Sequence, residues 1–396
     1  MSLLVYVGAF FNYVFQIAMA IVLAPDSLTV ILIFNSLLIV LGVIPSAIQT
    51  STAQETVGVR NELATTRSLW VSGNRKFAIY GVGFAAIIGF ASVIWAPALD
   101  VFRFEYVVLF TTSVFLMQLL GFNRGVLQGL ERVWWFGISL TSWSVLRLIA
   151  AVALVKIGLE VSGVLLGYVV GYFAALVITF LPLKSSLSES TLVTHRPPKI
   201  AWNPPIYLSI LFLSILSQGD IFVARHFLST YEAASFAVVS ILSKASFYAV
   251  ASVSLAMFPK AVDQYNRGEG SKSVIVVALA IASIVCGTFV LAYGLFSEQI
   301  IDLLFGGKYD SAHGHIFVYS LAMSSLGISY LLAHYLLALG KNWIPAVLGI
   351  LVLGAVTLVS FGPTTVAELV RLVSWISFTA LAAILSITVF TLLRSD

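Results

Sequence analysis

The sequence predicts an all-α integral membrane protein of about twelve transmembrane helices, because of its composition, its apolar runs and the charges of its loops. Of the 396 residues, 60% are hydrophobic and 10% are charged, against about 25% charged in a soluble globular domain. The mean hydropathy is +1.03. This value indicates more apolar residues than one water-soluble core can bury. Lipid offers no backbone partners, so each long apolar run is expected to be a helix.

Twelve apolar stretches are long enough to cross a hydrocarbon layer of about 30 Å. No basic region precedes the first stretch, so we expect it to remain as a permanent helix and not to be cleaved as a signal peptide. An even number of spans puts both termini on the same side. We predict the spans at 3–23, 29–49, 78–98, 106–127, 135–157, 161–181, 206–227, 235–258, 273–296, 316–339, 343–361 and 366–393.

Lysine and arginine are distributed unequally between the loops on the two sides of these spans. With the N-terminus inside, fourteen fall in the inner loops, Arg124 among them, and four fall in the outer loops, at Arg103, Lys156, Arg225 and Lys308. Cytoplasmic loops of membrane proteins carry an excess of Lys and Arg. The charges therefore predict a multi-pass protein of the cytoplasmic (inner) cell membrane with both termini cytoplasmic.

A polar stretch divides the chain into six spans and six spans. Residues 182–205 are rich in serine and proline, a composition typical of linkers. We predict an N-terminal six-helix bundle at 1–181, a cytoplasmic linker at 182–205 and a C-terminal six-helix bundle at 206–396.

The two halves carry similar motifs after their fourth spans. Segment 127–129 (LQG), followed by Arg132 and Trp134, resembles segment 339–341 (LGK), followed by Trp343. Because both halves begin on the inner side, we expect the bundles to be related by a pseudo-twofold axis along the membrane normal.

Span 6 carries three glycines at a spacing of four: Gly163, Gly167 and Gly171. They lie on one face of a helix and allow a neighbouring helix to approach closely. We interpret this face as a packing surface and not as a substrate contact.

Three charged residues lie well inside the spans and need an explanation, because each costs about 2.5–3.5 kcal/mol at the bilayer centre on insertion scales. Asp220 and Lys244 have similar depths on consecutive antiparallel spans, which predicts a charge pair facing the bundle interior. Such a pair either takes part in function or only orients its two helices. Arg147 lies near the middle of span 5, and no acidic residue accompanies it in the spans of the first half. Its guanidinium is expected to face water, backbone carbonyls or an anionic ligand.

Uncharged polar side chains add to these charges. Each alone is more often a bond between helices than a ligand contact, but together they suggest a wet cavity between the bundles. The candidate path residues are Asn12, Gln16, Asn35, Arg147, Gln218, Asp220 and Lys244.

The sequence shows no motif of soluble-enzyme chemistry. Segment 339–342 (LGKN) lacks the first glycine and the final hydroxyl of a phosphate-binding loop. His313 and His315 beside Asp310 are expected in a solvated outer loop and not at a metal site. We predict no catalytic residue, no metal, no cofactor and no nucleic-acid partner.

Three segments resemble a known family. They are 11–18 (FNYVFQIA), 124–129 (RGVLQG) with Arg147 following, and 219–228 (GDIFVARHFL) with Lys244 following. They are similar to segments of polysaccharide transporters, the lipid-linked oligosaccharide flippases of the multidrug/oligosaccharidyl-lipid/polysaccharide (MOP) superfamily. The chain departs from the family's pattern at Ile21 and Ala24, where arginine and glycine are usual.

This resemblance implies a function and partners. The chain would be a flippase, not an enzyme, that moves a lipid-linked oligosaccharide or polysaccharide precursor across the cytoplasmic membrane by alternating access. Arg147 and Lys244 would meet the diphosphate, and Asp220 would balance Lys244 or accept a coupling proton. The implied partners are membrane lipids, a polyprenyl-linked glycan, and glycosyltransferases or a polymerase of the same pathway. Two alternatives are a cation-coupled multidrug or small-molecule exporter of the superfamily, and a non-transporting membrane partner of a polysaccharide assembly complex.

Overall fold

The computed structural model describes residues 2–187, 203–267 and 272–393, and no strand occurs in these ranges. The chain divides into two compact units, Met1–Trp202 and Asn203–Asp396. The first unit contains α1 (Ser2–Val22), α2 (Pro25–Leu41), α3 (Val43–Val59), α4 (Leu63–Ala98), α5 (Phe104–Gly129), α6 (Val133–Leu154) and α7 (Glu160–Leu187). The second contains α8 (Pro204–Gln218), α9 (Asp220–Phe227), α10 (Thr230–Asn266), α11 (Lys272–Phe305), α12 (His313–Ala338), α13 (Ile344–Val359) and α14 (Val366–Leu393).

Every predicted span coincides with one helix or with two helices in line. Nine helical segments of the described chain are long and apolar enough to cross a membrane. One of them, Val133–Lys184, contains both α6 and α7, and two shorter apolar helices, Val7–Val22 and Ile344–Val359, supply the remaining spans. The prediction of an all-α membrane protein with about twelve spans is confirmed.

Two spans are interrupted by a single glycine. Gly42 separates α2 from α3, and Gly219 separates α8 from α9. Both glycines keep φ and ψ in the right-handed helical region, so each pair of helices continues as one span with a local break. The two pieces of such a span have different neighbours: α8 packs against α12 and α13, whereas α9 packs against α10 and α14.

Several helices are longer than the apolar stretches that predicted them. α4 begins at Leu63, although its apolar stretch begins at 78, and α10 continues to Asn266, although its apolar stretch ends at 258. Hydropathy detects only the part of a helix that lies in hydrocarbon, and backbone hydrogen bonding continues beyond it.

The predicted linker falls largely outside the described residues. α7 continues to Leu187 and α8 begins at Pro204, while 188–202 is not described. The assignment of 182–205 to a cytoplasmic linker, and the placement of both termini in the cytoplasm, stay predictions.

The glycine face of α7 packs against α6, as its spacing predicted. A Cβ atom on Gly163 would lie 3.0 Å from Leu154, and one on Gly167 would lie 2.9 Å from Ala151. A second face of this kind lies on α5 and packs against α3. Its residues are Gly121, Gly125 and Gly129.

The turns after α5 and α12 have the same backbone geometry. Glu131 and Gly340 both adopt a positive φ, at 56° and 70°, and the next amide of each turn donates a hydrogen bond back into the helix, from Arg132 to Leu127 and from Lys341 to Leu336. Such a left-handed residue commonly ends a helix.

The shared geometry shows which residues of the two turns are equivalent. Arg132 corresponds to Lys341, and the exposed Trp134 corresponds to the exposed Trp343. The predicted match of 127–129 with 339–341 is therefore wrong by three residues, because the segment equivalent to 127–129 is 336–338.

Candidate substrate cavity

Arg147 lies on α6 where this helix contacts α7. A Cβ atom on Gly171 would lie 2.9 Å from the Cβ of Arg147 and 2.9 Å from the carbonyl oxygen of Trp143. The glycine therefore lets α7 rest directly on the backbone at Arg147. Only 1% of the arginine is exposed, and a buried guanidinium must be compensated by hydrogen bonds or by an aromatic surface.

Aromatic rings enclose the guanidinium of Arg147. Its central carbon lies 3.9 Å from the ring centroid of Phe15, 4.4 Å from that of Trp143 and 4.7 Å from that of Tyr168. A desolvated cation over an aromatic face gains about 2 kcal/mol or more. One guanidinium nitrogen also donates a hydrogen bond to Oδ1 of Asn12. The aromatic rings and Asn12 therefore offset the free-energy cost of burying the guanidinium of Arg147, and none of these contacts is to a carboxylate.

This aromatic enclosure was not predicted, although the sequence contained a signal for it. Phe15 follows Asn12 by three residues, and Trp143 precedes Arg147 by four. Residues three or four apart share a face of a helix. The position of Tyr168 depends on the packing of α7 against α6, which the spacing alone does not give.

A cavity of about 240 Å³ lies beside Arg147 within the first unit. Among the described residues that line it, Arg147 and Arg124 are charged, and none is Asp or Glu. Arg124 was counted with the inner loops, although the predicted span 106–127 includes it, and it lies within α5. Its guanidinium donates to Oγ of Ser139 at 3.1 Å and to the carbonyl oxygen of Ser139 at 2.8 Å.

The amides that line the cavity present mainly hydrogen-bond donors. Oδ1 of Asn12 accepts from Arg147, and Oδ1 of Asn35 accepts from the hydroxyl of Tyr168 at 2.6 Å. Each asparagine thus keeps its NH₂ group for another partner. Gln49 is the opposite case. Its NH₂ group donates to Gln128 at 3.1 Å, so its amide oxygen is the atom kept for another partner.

Two further donors at the cavity have no hydrogen-bond acceptor among the described residues. They are Nε of Arg147 and Nε1 of Trp143, and both atoms are buried. Leaving a buried donor unpaired costs about 1–3 kcal/mol, and more for a charged group. The two arginines and the NH₂ groups of Asn12 and Asn35 make the cavity suited to an anion or to a ligand rich in oxygen acceptors. The indole of Trp143 lies 5.3 Å from the ring of Tyr172, which adds an aromatic wall.

The predicted pair of Asp220 and Lys244 is present in the second unit. Nζ of Lys244 lies 2.7 Å from Oδ1 of Asp220, and both side chains are buried. Oδ2 of the same carboxylate accepts hydrogen bonds from Ser240 at 2.8 Å and from Tyr319 at 2.5 Å. Asp220 is the first residue of α9, so these bonds attach the break at Gly219 to α10 and α12.

The candidate path residues fall into two groups within separate units. Asn12, Asn35 and Arg147 line the cavity of the first unit. Gln16 is buried on α1 but is not among the lining residues. In the second unit, Gln218 donates to the hydroxyl of Tyr248 at 3.0 Å.

The fold and the cavity together define a class of protein. The chain is a multi-pass helical membrane protein of two units, and the described residues of each unit form six spans. The first unit holds a cavity lined in part by two arginines. No protein-family model and no curated protein matches the sequence.

Solved structures with this fold are transporters of the MOP superfamily. One is an inward-facing multidrug resistance MATE family transporter, with a TM-score of 0.75 and 12% identity over 97% of this chain and 94% of that chain. Another is the lipid II flippase MurJ in an inward closed conformation, with a TM-score of 0.67 and 13% identity over 96% of this chain and 86% of that chain.

A third is a MOP superfamily transporter from Pyrococcus furiosus, described as having a binding pocket of reverse polarity that suggests a different function. Its TM-score is 0.63, with 13% identity over 100% of this chain and 95% of that chain. The chain thus has the fold of MOP superfamily transporters, as the motif resemblance implied.

Proposed function

We propose that the chain is a flippase that translocates a lipid-linked oligosaccharide or polysaccharide precursor across the cytoplasmic membrane by alternating access. The observation that carries this proposal is the cavity of the first unit, with Arg124 and Arg147 in its lining and no carboxylate among the described residues there. Guanidinium groups match the geometry of phosphate oxygens. A polyprenyl diphosphate glycan would place its diphosphate at the two arginines.

The remaining lining groups suit the sugar part of such a substrate. Asn12 and Asn35 offer NH₂ groups, and Gln49 offers an amide oxygen. Trp143 and Tyr172 form an apolar wall with polar tips, and such side chains contribute large contact areas while keeping a hydrogen-bonding atom. We leave Lys244 out of the diphosphate site because its ammonium group binds Asp220.

The contacts of Asp220 in the second unit disfavour the cation-coupled exporter. A hydrophobic cation needs a counter-ion, and the buried carboxylate of Asp220 already has Lys244, Ser240 and Tyr319 as donors. We therefore assign the pair a structural role, as the anchor of α9. Membrane lipids and the glycan are the partners that this function requires, and a glycosyltransferase or polymerase of the same pathway remains an expectation.

The experiment uses purified protein in proteoliposomes that contain a fluorescent polyprenyl diphosphate disaccharide. The fraction of probe that a membrane-impermeant reductant bleaches reports movement between leaflets. We expect faster movement of this probe than of a fluorescent phosphatidylcholine. If ethidium is transported and the disaccharide probe is not, the flippase proposal is wrong, and the result supports the alternative of a cation-coupled exporter.

Loss of the protein in its own cell gives an independent readout. A flippase defect should leave a lipid-linked glycan on the cytoplasmic face of the membrane. Movement of the probe in vesicles together with normal export in the deletion strain would mean that the chain can flip such lipids but serves another pathway. A non-transporting assembly partner would instead show an export defect and no movement in vesicles.

A further inference from the structure

A second cavity lies on the surface of the second unit between α10 and α11. Its volume is about 300 Å³. Val253, Ala256 and Met257 of α10 form one wall, and Val277, Ala278 and Ile281 are on the other wall, from α11. Val277 is 58% exposed and Ile281 is 45% exposed, so the cavity is an open crevice on a face of a membrane-spanning unit. We call it the α10–α11 crevice.

The polar residues of this crevice lie together at one end. Lys260 is near the end of α10, and Ser273 is near the start of α11. Val253 is seven residues from Lys260, and Ile281 is eight from Ser273. At 1.5 Å per residue, the apolar part extends roughly 10–12 Å away from the polar end. This is the arrangement of a headgroup position above a slot for hydrocarbon.

The described residues at the polar end carry an excess of positive charge. Lys260, Arg267 and Lys272 are basic, and Asp263 is acidic and forms an ion pair with Arg267 at 2.9 Å. With Glu269 included, the sequence 260–272 has three basic and two acidic residues, a net charge of +1. Basic residues at a membrane surface attract anionic lipids by about 1 kcal/mol each. An apolar crevice of this size does not hold water well, since water needs two or more polar partners.

We propose that the α10–α11 crevice binds one anionic phospholipid, with an acyl chain along Val253, Met257 and Val277 and the phosphate at Lys260. This site is separate from the arginine-lined cavity of the first unit, and it does not depend on which substrate that cavity accepts. The bound lipid fills the groove between two helices of the second unit and so stabilises their packing.

Two adjacent valines provide a matched pair of variants. Val277 lines the crevice, whereas Val276 is similarly exposed, at 62%, on the same helix and is not among the lining residues. Val277→Trp should fill the slot, and Val276→Trp adds the same side chain elsewhere. Lys260→Glu tests the headgroup, and Lys184→Glu, an exposed lysine of α7 in the first unit, is its charge control.

The experiment measures binding of phosphatidylglycerol and phosphatidylcholine to the purified full chain by native mass spectrometry, and the shift of its thermal unfolding by each lipid. For the native chain we expect one tightly retained phosphatidylglycerol and a higher unfolding temperature. Lys260→Glu should weaken phosphatidylglycerol binding roughly thirtyfold, since one attraction is lost and one repulsion is added. Val277→Trp should abolish the lipid-dependent shift, and both controls should retain it.

Other outcomes would overturn the proposal. Equal retention of the two lipids would show that Lys260 does not select the headgroup. A lipid-dependent shift that survives both Val277→Trp and Lys260→Glu would place the lipid elsewhere. A change from dimer to monomer on Val277→Trp would mean that a second copy of the chain occupies the crevice. If Val277→Trp does not fold, two further measurements decide the question: the lipid-dependent shift of Val277→Phe, and labelling of 253–260 and 273–281 by a photoreactive phosphatidylglycerol.

Discussion

Gly171 and Arg147 are in direct contact, because a Cβ atom on the glycine would stand 2.9 Å from the Cβ of the arginine. The glycine face of α7 was predicted as a packing surface and Arg147 as a site residue, and in the structure they meet. The approach of α7 also brings Tyr168 to the guanidinium. Helix packing and the composition of the cavity therefore depend on the same position.

Gly171→Ala should disturb the cavity while it leaves the individual helices intact. The added methyl must displace Arg147 or the carbonyl of Trp143, and overpacking of this kind typically costs about 1–3 kcal/mol. We expect a lower unfolding temperature in detergent and slower movement of the disaccharide probe. Gly83→Ala is the matched control, because nothing lies within 4 Å of its Cβ position. Equal behaviour of the two variants would show that the contact at Gly171 does not position Arg147.

Asp220 and Lys244 should behave as a coupled pair in a double-mutant cycle. Removing one partner leaves the other charge buried, at a cost of about 3–5 kcal/mol. Asp220→Asn and Lys244→Met should therefore each destabilise the chain more than the double variant does. Because we assign the pair a structural role, the double variant should recover both thermal stability and flipping. Recovery of stability without flipping would show that one of the charges takes part in transport.

Tyr319 should contribute more than an ordinary buried tyrosine, because its hydroxyl donates to the charged carboxylate of Asp220. Hydrogen bonds to charged groups contribute about 1.5–3 kcal/mol, against about 0.5–1.5 kcal/mol for neutral ones. Tyr293→Phe is the comparison, since that buried hydroxyl donates to the carbonyl oxygen of Leu242 at 2.8 Å. Thermal unfolding should show a larger loss for Tyr319→Phe. A loss no larger than that of Tyr293→Phe would mean that the Asp220 cluster does not depend on this donor.

The number and order of the spans could be predicted from sequence because insertion into lipid requires long apolar helices, and hydropathy reads that property directly. The pairing of Asp220 with Lys244 could be predicted because two consecutive antiparallel helices fix relative depth. Both inferences use distances along one helix or between two neighbours in the chain.

Contacts between helices far apart in sequence could not be predicted in this way. Tyr168 and Asn35 are 133 residues apart, yet their side chains form a hydrogen bond at 2.6 Å. Arg124 was counted with the inner loops because it is near the inner end of its span, although it lies on a helix and lines the cavity. The rotation of each helix about its axis decides such contacts, and close packing at glycines sets that rotation.

The predicted topology has a direct test. A reporter that is active only in the cytoplasm should function when fused after Ser190 or after Asp396, and it should be inactive after Asp310, because the basic loops are expected inside. Immunoblots of each fusion control for expression. Activity at Asp310 would require an orientation opposite to the predicted one or a different number of spans.

The central claim is that Arg147 binds the anionic part of a transported lipid, and the most direct measurement is the rate at which Arg147 variants move the disaccharide probe in proteoliposomes. Arg147→Ala should slow this movement about tenfold or more, since hydrogen bonds to charged groups contribute about 1.5–3 kcal/mol. Arg147→Lys keeps the charge without the planar donors and should be intermediate. Arg371→Ala, at an exposed arginine outside the cavity, should move the probe at the native rate. Equal rates for Arg147→Ala and the native chain, at equal amounts of folded protein, would contradict the account.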